Sequence, residues 1–274
     1  MTGSEEVELA GGVGNGGAVV RIGDTVRRPA TRHSAISRAV TRHLEQVGFD
    51  RAQRHLGTDE QGRDVFTYVE GEVPLPPFAP WVRTAGVLAD VARLLRDFHA
   101  AMTGFDPGAL ASAELADPLD GTPLGGNSFC HNDVCPENVV FRDGSPVALL
   151  DFDYAAPGRA LWDVARTVRM WAPAGVPGSG SAWPADIDVL SRIGIFTSGY
   201  GLGEEHGPAF ADALIEATTQ GQRWVRRKVD AGEPGFVRMW AERGLAASFA
   251  TDLRWLTAHR EAIEAAVGHV TTGT

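Results

Sequence analysis

Three polar residues, Asp133, Asn138 and Asp151, have the types and the spacing that phosphoryl transfer requires. Asn138 follows Asp133 by five positions, and Asp151 comes directly after the apolar run 147–150. Phosphoryl transfer asks a protein mainly to position the reacting groups and to neutralise charge. A carboxylate at Asp133 could accept the proton of an acceptor hydroxyl. The oxygens of Asn138 and Asp151 could hold Mg²⁺, which prefers hard oxygen ligands and keeps several of its waters.

The segment around these residues predicts a hairpin that brings two of them together. Two apolar runs, 139–141 and 147–150, flank Asp143-Gly144, which is typical of a tight turn. Asn138 precedes the first run, and Asp151 follows the second. Because paired strands in a hairpin start and end at the same place, we expect these two side chains to lie close together.

Five segments of this region match the motif of a known family. They are His131-Asn132-Asp133, Asn138, Leu150-Asp151-Phe152, Asp153-Tyr154 and Leu161-Trp162-Asp163-Val164-Ala165. The pattern resembles that of the aminoglycoside phosphotransferase and choline kinase-like family (phosphotransferase enzymes), which are relatives of protein kinases. The motif-specific resemblance covers residues 128–168, and the order of the parts matches over most of the chain.

The resemblance implies an α+β, two-lobe protein kinase-like fold. Residues 1–70 would form a nucleotide-binding lobe with a small antiparallel sheet and one helix. Residues 71–80 would link it to a mainly helical catalytic and acceptor-binding lobe that spans 71–274. ATP and Mg²⁺ would bind between the lobes, with Asp133 as the catalytic residue and with Asn138 and Asp151 as metal ligands.

The polar neighbours of the motif have alternative roles. His131 and Asp163 are expected to be structural, and Asp163 either caps the helix predicted at 163–171 or bonds the loop. Asp153 is either a second carboxylate on the metal side or a hydrogen-bonding partner. Asn132 stands where many relatives have Gly, and both residue types tolerate left-handed backbone angles.

A glycine-rich segment near the N-terminus suggests cover for phosphates. Strands are predicted at 7–9, 18–22 and 25–28, with the segment 11–17 between the first two. Glycines allow backbone N–H groups to approach phosphates closely. With the downstream motif in place, we assign nucleotide contacts to Gly14, Asn15 and Gly16, against the alternative of a glycine-rich turn without a ligand.

The third strand departs from the family pattern, which has a lysine there. Lys228 is the only lysine of the chain, so Arg27, Arg28 or no residue would take the place of the family lysine at the phosphates. Alternation along a strand points only one of the two arginines inward. The family pairs its lysine with a helix Glu, whose position falls near Ser37 in the helix predicted at 35–47. His33, Glu45 or no residue would replace that Glu.

The resemblance also places the adenine ring against the backbone of residues 68–71, with contacts from Tyr68 and Glu70. A plain linker between lobes is the alternative, and the two interpretations are compatible. Residues 87–98 carry apolar side chains at helical spacing, which predicts a core-facing helix. Further helices are predicted at 187–196, 208–230 and 234–267.

Tryptophans in the predicted helices either pack in the core or line an acceptor site through cation–π contacts, and core packing is preferred. They are Trp171, Trp224, Trp240 and Trp255. His99 is likewise expected to be a packed core residue.

Composition narrows the classes of partner. The chain has 274 residues and a formal net charge of −10, which argues against nucleic acid and suits cationic small molecules. It lacks both a long apolar stretch and the pattern of a signal peptide, so we predict a cytoplasmic protein without membrane contact. Cys130 and Cys135 are expected to be reduced, because disulfides are rare in cytosolic proteins. Two cysteines alone do not make a zinc site, which needs four ligands.

Together these features predict an ATP- and Mg²⁺-dependent small-molecule kinase. The acceptor would be a hydroxyl of a small polar or cationic molecule, such as an aminoglycoside-like antibiotic or an amino alcohol, with antibiotic resistance as one setting. The alternatives are a degenerate kinase-like protein that acts by binding, as in immunity by sequestration, and a plain α+β binding module with an accidental motif. The altered third strand favours the degenerate protein, and the intact Asp133, Asn138 and Asp151 favour the enzyme.

Overall fold

The fold is described from a computed structural model. It describes residues 6–9, 19–108, 126, 128–174, 183–242 and 244–269. The glycine-rich segment 11–17, with Gly14, Asn15 and Gly16, lies outside the described residues. None of the helices within the described ranges combines the length and the apolar character needed to cross a membrane.

The first part of the chain forms a five-stranded antiparallel sheet. Its strands lie in the order β1-β2-β3-β5-β4. Their bounds are β1 Val7–Glu8, β2 Val20–Ile22, β3 Thr25–Pro29, β4 His55–Thr58 and β5 Arg63–Thr67. In the register of β3 with β5, Val26 pairs with Phe66 and Arg28 with Asp64. The three predicted strands near the N-terminus are therefore confirmed, with shifts of one or two residues at their ends.

One helix, α1 (Ser34–Gln46), packs against this sheet. Ile36, Val40 and Leu44 recur at helical spacing and are fully or almost fully buried. The helix ends at Gln46. Gly48, two residues later, has a φ of +76° that glycine reaches easily, and the Phe49 N–H donates back to the Leu44 carbonyl at 2.8 Å. This helix was predicted at 35–47.

The predicted motif hairpin is present. Strands β7 (Val139–Arg142) and β8 (Ser145–Leu149) pair antiparallel. Asp143 and Gly144 between them have φ values of +51° and +75°, as a tight hairpin turn of the primed type requires. A second small sheet pairs β6 (Ser128–Cys130) with β9 (Ala156–Gly158). In the chain, β6 directly precedes the motif and β9 follows the hairpin.

The remainder of the described chain is mainly helical. Its helices are α2 Ala85–Ala101, α3 Ala160–Trp171, α4 Val189–Tyr200, α5 Gly207–Asp230, α6 Pro234–Glu242, α7 Leu245–Ala258 and α8 Arg260–Ala266. The single helix that the sequence suggested at 234–267 is divided into three. One break lies at Gly244, which adopts a left-handed φ of +57°, and the next lies at His259.

Helix α2 forms the centre of the core. The apolar side chains predicted to face inward are buried, namely Val87, Leu88, Val91, Leu94, Leu95 and Phe98. Helix α4 approaches α2 closely at Gly199, where an added Cβ would lie 3.0 Å from the Ala89 carbonyl oxygen. The Phe98 ring stacks on Phe152, so the core extends directly beneath the motif.

The four tryptophans differ in burial. Trp171 is fully buried, and its indole N–H donates to the Val134 carbonyl at 2.8 Å, which confirms the core role. Trp224, Trp240 and Trp255 are half-buried. The Trp224 ring packs edge-on against Tyr154, which follows the motif hairpin.

A buried carboxylate holds the loop that contains the motif, residues 131–138, which we call the motif loop. Asp163 on α3 accepts hydrogen bonds from the backbone N–H groups of His131 at 2.7 Å and of Asn132 at 2.9 Å. It also accepts one from His99 Nε2 at 3.0 Å, while the Tyr200 hydroxyl lies 2.7 Å from His99 Nδ1. Helix α3 begins at Ala160, so Asp163 does not cap the helix and instead bonds the motif loop.

The charge of Asp163 is stabilised by these donors. Burial alone would raise the pKa of Asp163, but the hydrogen bond and charge of His99 and the His131 backbone N–H outweigh it, so the pKa is lowered. A carboxyl whose pKa is lowered by folding stabilises the protein above its unfolded pKa of about 3.9. That stabilisation is lost as the pH falls through the folded-state value.

We expect Asp163→Asn to lower the free energy of unfolding at pH 7 by about 2–4 kcal/mol, because an amide directs its own N–H groups at buried donors. Urea denaturation of both proteins measures the difference. Asp212→Asn is the matched control, since Asp212 pairs with Arg260 on the surface and such pairs contribute about 0–1 kcal/mol. Equal losses in the two variants would contradict the role given to Asp163.

Candidate active site

The motif loop has an unusual backbone that several groups support. Asn132 is fully buried and adopts a left-handed φ of +66°, as its residue type allows. Its side-chain amide donates to the Tyr154 carbonyl at 2.9 Å, and its own carbonyl accepts from Arg166 Nε at 2.8 Å. His131 is buried and its Nε2 lies 3.0 Å from the Leu150 carbonyl, so it has the expected structural position.

Asp133 and Asn138 are joined directly. The Asn138 side-chain nitrogen donates to the Asp133 carbonyl and to Asp133 Oδ2, at 2.9 Å in each case. The backbone carbonyl of Asp133 can only accept a hydrogen bond, so the side-chain nitrogen of Asn138 must face Asp133. Within the described residues, the Asn138 side-chain oxygen accepts no hydrogen bond and is left for a ligand.

Asp151 lies beside Asn138, as the hairpin predicted. The Leu150 N–H donates to the Asn138 carbonyl at 2.9 Å, which ties the end of β8 to the start of β7. Asp151 itself has a φ of +58°, a strained value for a residue other than Gly. Its side chain is 29% exposed, which is enough for contact with a ligand in the cleft.

The surroundings of Asp133 favour its protonated form. Burial raises its pKa to about 7, the Asp151 charge adds to the rise, and Arg166 opposes it. A carboxylate of this basicity is well suited to accept a proton near neutral pH.

The two arginines of β3 point to opposite faces, as strand alternation requires. Arg28 is 5% exposed and reaches across the cleft to two carboxylates, Asp151 Oδ1 at 2.9 Å and Asp153 Oδ1 at 2.7 Å. Arg27 instead contacts the Thr25 hydroxyl at 2.5 Å and Asp59 at 3.6 Å. Arg28 is therefore the inward arginine, and Asp153 is its hydrogen-bonding partner.

The charges of Arg28 and its partners are interdependent. Burial lowers the pKa of Arg28, but Asp151 and Asp153 outweigh it, so the net pKa is raised. The pKa of Asp153 rises to about 6 through burial and the Asp151 charge, with Arg28 opposing. The guanidinium thus partly neutralises a crowded set of carboxylates.

Helix α1 brings no acid to Arg28. Ser37 occupies the position expected for the family Glu, and its hydroxyl lies 3.5 Å from Arg28 Nη2. Glu45 pairs with Arg54, and the His33 ring packs against Tyr154. The ion pair between β3 and the helix is absent among these residues, and carboxylates after β8 take its place.

Tyr68 and Glu70, the residues assigned to the nucleotide base, have contacts of their own in this structure. The Tyr68 N–H donates to the Asp24 carbonyl at 2.8 Å, and Arg21 covers the Tyr68 ring at 3.6 Å. The Glu70 carbonyl accepts from Arg142 at 2.9 Å. The contact of Tyr68 and Glu70 with a nucleotide base therefore stays a prediction, as does that of the segment 11–17.

The oxygens of Asn138 and Asp151 fit a magnesium ion. Asp151 Oδ2 and the Asn138 side-chain oxygen are hard donors on adjacent chain segments, which is the kind of partial ligand set that Mg²⁺ completes with water and phosphate oxygens. Another described group with possible metal ligands comprises His99, Cys130 and Asp163. Its His and Asp bond each other, and burial raises the pKa of the Cys130 thiol, so it is a structural cluster. Both cysteines are free, as expected.

Sequence reasoning overlooked Arg166, which supports the motif loop and lies close enough to Asp133 to affect its pKa. Arg166 follows Asp163 by three positions on α3, so both project from the same helix face. This three-residue spacing was the sequence signal from which the role of Arg166 could have been inferred.

Comparisons with known proteins identify similar sequences. The sequence model of the phosphotransferase enzyme family matches residues 106–186. A trifolitoxin immunity protein of Rhizobium leguminosarum bv. trifolii is 29% identical over 96% of this chain and 99% of its own length.

Solved structures show the same fold. A choline/ethanolamine kinase family protein from Mesorhizobium loti has a TM-score of 0.62 and 17% identity over 96% of this chain and 92% of its own. An ethanolamine kinase of Plasmodium vivax has a TM-score of 0.59 and 12% identity over 92% and 83%. A GDP complex of aminoglycoside 2'-phosphotransferase-IIIa has a TM-score of 0.55 and 12% identity over 95% and 94%.

The resemblance inferred from the motif is thereby confirmed. The chain has the protein kinase-like fold of aminoglycoside phosphotransferases and of choline and ethanolamine kinases, and its motif region matches the phosphotransferase enzyme family.

Proposed function

We propose that this chain is an ATP- and Mg²⁺-dependent phosphotransferase that moves the γ-phosphate to a hydroxyl of a small molecule. The observation that carries this proposal is the joined pair of Asp133 and Asn138, with Asp151 beside it, at the cleft between the sheet and the helices. The proposed lobes are residues 1–70 and 71–274, with 71–80 as their link.

Each residue of the proposed site has a distinct task. Asp133 accepts the proton of the acceptor hydroxyl, and its raised pKa makes it a better base than a surface carboxylate. The Asn138 amide holds Asp133 Oδ2 and leaves Oδ1 for the acceptor. Asn138 and Asp151 hold Mg²⁺, which when bound neutralises charge on the phosphates.

Nucleotide contacts are assigned to the first lobe. Arg28 is the basic residue that faces the cleft, and guanidinium groups bind phosphate oxygens well. Gly14, Asn15 and Gly16 would cover the phosphates, and the backbone near Tyr68 and Glu70 would meet the base. Support for a nucleotide comes from related folds, which include complexes with GDP and ADP.

The acceptor is proposed to be polar or cationic. Tyr154 and Trp224 pack edge-to-face beside the motif, and Tyr154 is close enough to Asp133 for its pKa to be raised in part by that charge, after burial. Aromatic faces near carboxylates favour cations. Proteins of similar fold include a choline/ethanolamine kinase family protein and an aminoglycoside phosphotransferase in complex with gentamicin.

A second candidate function is binding without transfer. It is favoured by the ion pairs of Arg28 with Asp151 and Asp153, which engage a proposed metal ligand. The similar protein named for trifolitoxin immunity is compatible with either function, since immunity could follow from modification or from sequestration.

Asp133→Asn is expected to abolish turnover while leaving nucleotide binding intact, because the amide cannot accept a proton but keeps the size of the side chain. The rate should fall by about 10²-fold or more. Steady-state transfer and calorimetric titration with Mg²⁺–ATP measure the two properties separately. Full activity in this variant would remove Asp133 from the mechanism.

Asp151→Ala should abolish the part of nucleotide affinity that depends on the metal. ATP titrations with Mg²⁺ and with EDTA are compared for the original chain and the variant. The original chain is expected to bind more tightly with Mg²⁺, and the variant is expected to show no difference. An unchanged affinity for Mg²⁺–ATP in the variant would rule out the metal role.

A panel of acceptors separates transfer from binding. We expect Mg²⁺–ATP to raise the melting temperature, and at least one of the aminoglycosides, choline, amino alcohols, macrolides or trifolitoxin to yield a phosphorylated product by mass spectrometry. Binding of an acceptor without product would select the degenerate binder. No thermal shift with Mg²⁺–ATP would select the plain binding module.

A further inference from the structure

Arg28 engages two carboxylates at the place where a divalent cation is proposed to bind. Its Nη1 donates to Asp151 Oδ1 at 2.9 Å, and its Nη2 donates to Asp153 Oδ1 at 2.7 Å. Asp151 is also the proposed metal ligand. One guanidinium therefore supplies positive charge to the same two acids that would otherwise attract a metal ion.

These contacts are shielded from water. The side chains of Arg28, Asp151 and Asp153 are 7%, 29% and 11% exposed. Ion pairs in such surroundings are screened much less by water and salt than surface pairs. Arg28 is therefore a strong competitor for the Asp151 carboxylate.

Within the described residues, the two acids make the short polar contacts of this guanidinium, which also lies 5.3 Å from the centre of the Phe66 ring. Arg28 Nε is buried and has no hydrogen-bond partner in the described part of the chain. The Ser37 hydroxyl is the contact from α1, and it is long at 3.5 Å. The neutral and short Ser37 leaves Arg28 free to bridge the acids after β8.

On the basis of the function proposed above, we propose that Arg28 excludes free divalent cations from Asp151 until a nucleotide binds. The phosphates of the nucleotide offer the guanidinium alternative anionic partners, and planar guanidinium groups pair well with phosphate oxygens. Asp151 is then released to the metal that accompanies the nucleotide. Arg28 is thus a positioning residue that acts through Asp151 and makes metal binding dependent on the nucleotide.

The test is a titration of the full chain with Mn²⁺ in the absence of nucleotide. Electron paramagnetic resonance measures the concentration of free Mn²⁺ at each step. Arg28→Gln is expected to bind Mn²⁺ about ten-fold more tightly than the original chain, because it removes a positive charge close to the divalent ion. Arg27→Gln is the matched control on the outer face of the same strand, and its affinity is expected to stay within about two-fold.

A double variant and a coupling measurement locate the effect. Arg28→Gln combined with Asp151→Asn is expected to lose the gain, since the released carboxylate is then gone. Added ATP should improve Mn²⁺ affinity by a larger factor in the original chain than in Arg28→Gln. A purely structural role for Arg28 would not change this coupling.

A second variant keeps Arg28 in place, in case Arg28→Gln does not fold. Ser37→Asp puts a carboxylate next to Arg28 Nη2, draws the guanidinium from Asp151 and should also tighten Mn²⁺ binding. Ser37→Asn, of equal size and no charge, should not.

The outcomes separate the two proposals. Unchanged Mn²⁺ affinity in the folded Arg28 and Ser37 variants overturns the role of Arg28, while Mg²⁺-dependent transfer by the original chain still supports the function. A gain that persists without the Asp151 carboxylate likewise overturns this role. No Mn²⁺ binding by the original chain, even with ATP, overturns the metal-dependent function and this inference with it.

Discussion

The candidate site depends on the buried carboxylate of Asp163. It accepts two backbone N–H groups of the motif loop and one histidine N–H, all within 3.0 Å. Without Asp163, these two backbone N–H groups would be buried without an acceptor. A buried donor without a partner costs more free energy than an ordinary hydrogen bond contributes. The left-handed Asn132, which directly precedes Asp133, is one of the two residues held in this way. Helix α3 therefore positions the candidate catalytic residue without contacting the reacting groups.

Charge is the second organising feature of the cleft. After burial, the charge of Asp151 adds to the raised pKa of Asp133 and to that of Asp153, and Arg28 from the sheet opposes the rise at Asp153. The guanidinium also connects the sheet to the loop after β8. Arg28 on β3 therefore has carboxylates after β8 as its ionic partners, and its contact on α1 is the neutral Ser37.

Local patterns predicted the motif region well. The hairpin turn at Asp143 and Gly144 and the buried face of α2 follow from turn chemistry and periodicity, which depend on neighbouring residues. The position of Ser37 followed from the resemblance to the family. The long helix suggested at 234–267 was wrong as a single element, because the left-handed Gly244 and the break at His259 interrupt an otherwise helical pattern. The choice between the two roles of Asp163 also needed the structure, since its partners lie about thirty residues earlier in the chain.

The sequence by itself determined the phosphotransferase motif, because the motif consists of residue types at fixed spacings within one short stretch of the chain. It also determined that the basic residues of β3 are arginines and that helix α1 offers Ser37 in place of an acid. Only the tertiary structure decided which arginine faces the cleft and which carboxylates it meets. Arg28 and Asp151 are 123 positions apart, and their contact exists because the sheet and the helical region pack against each other.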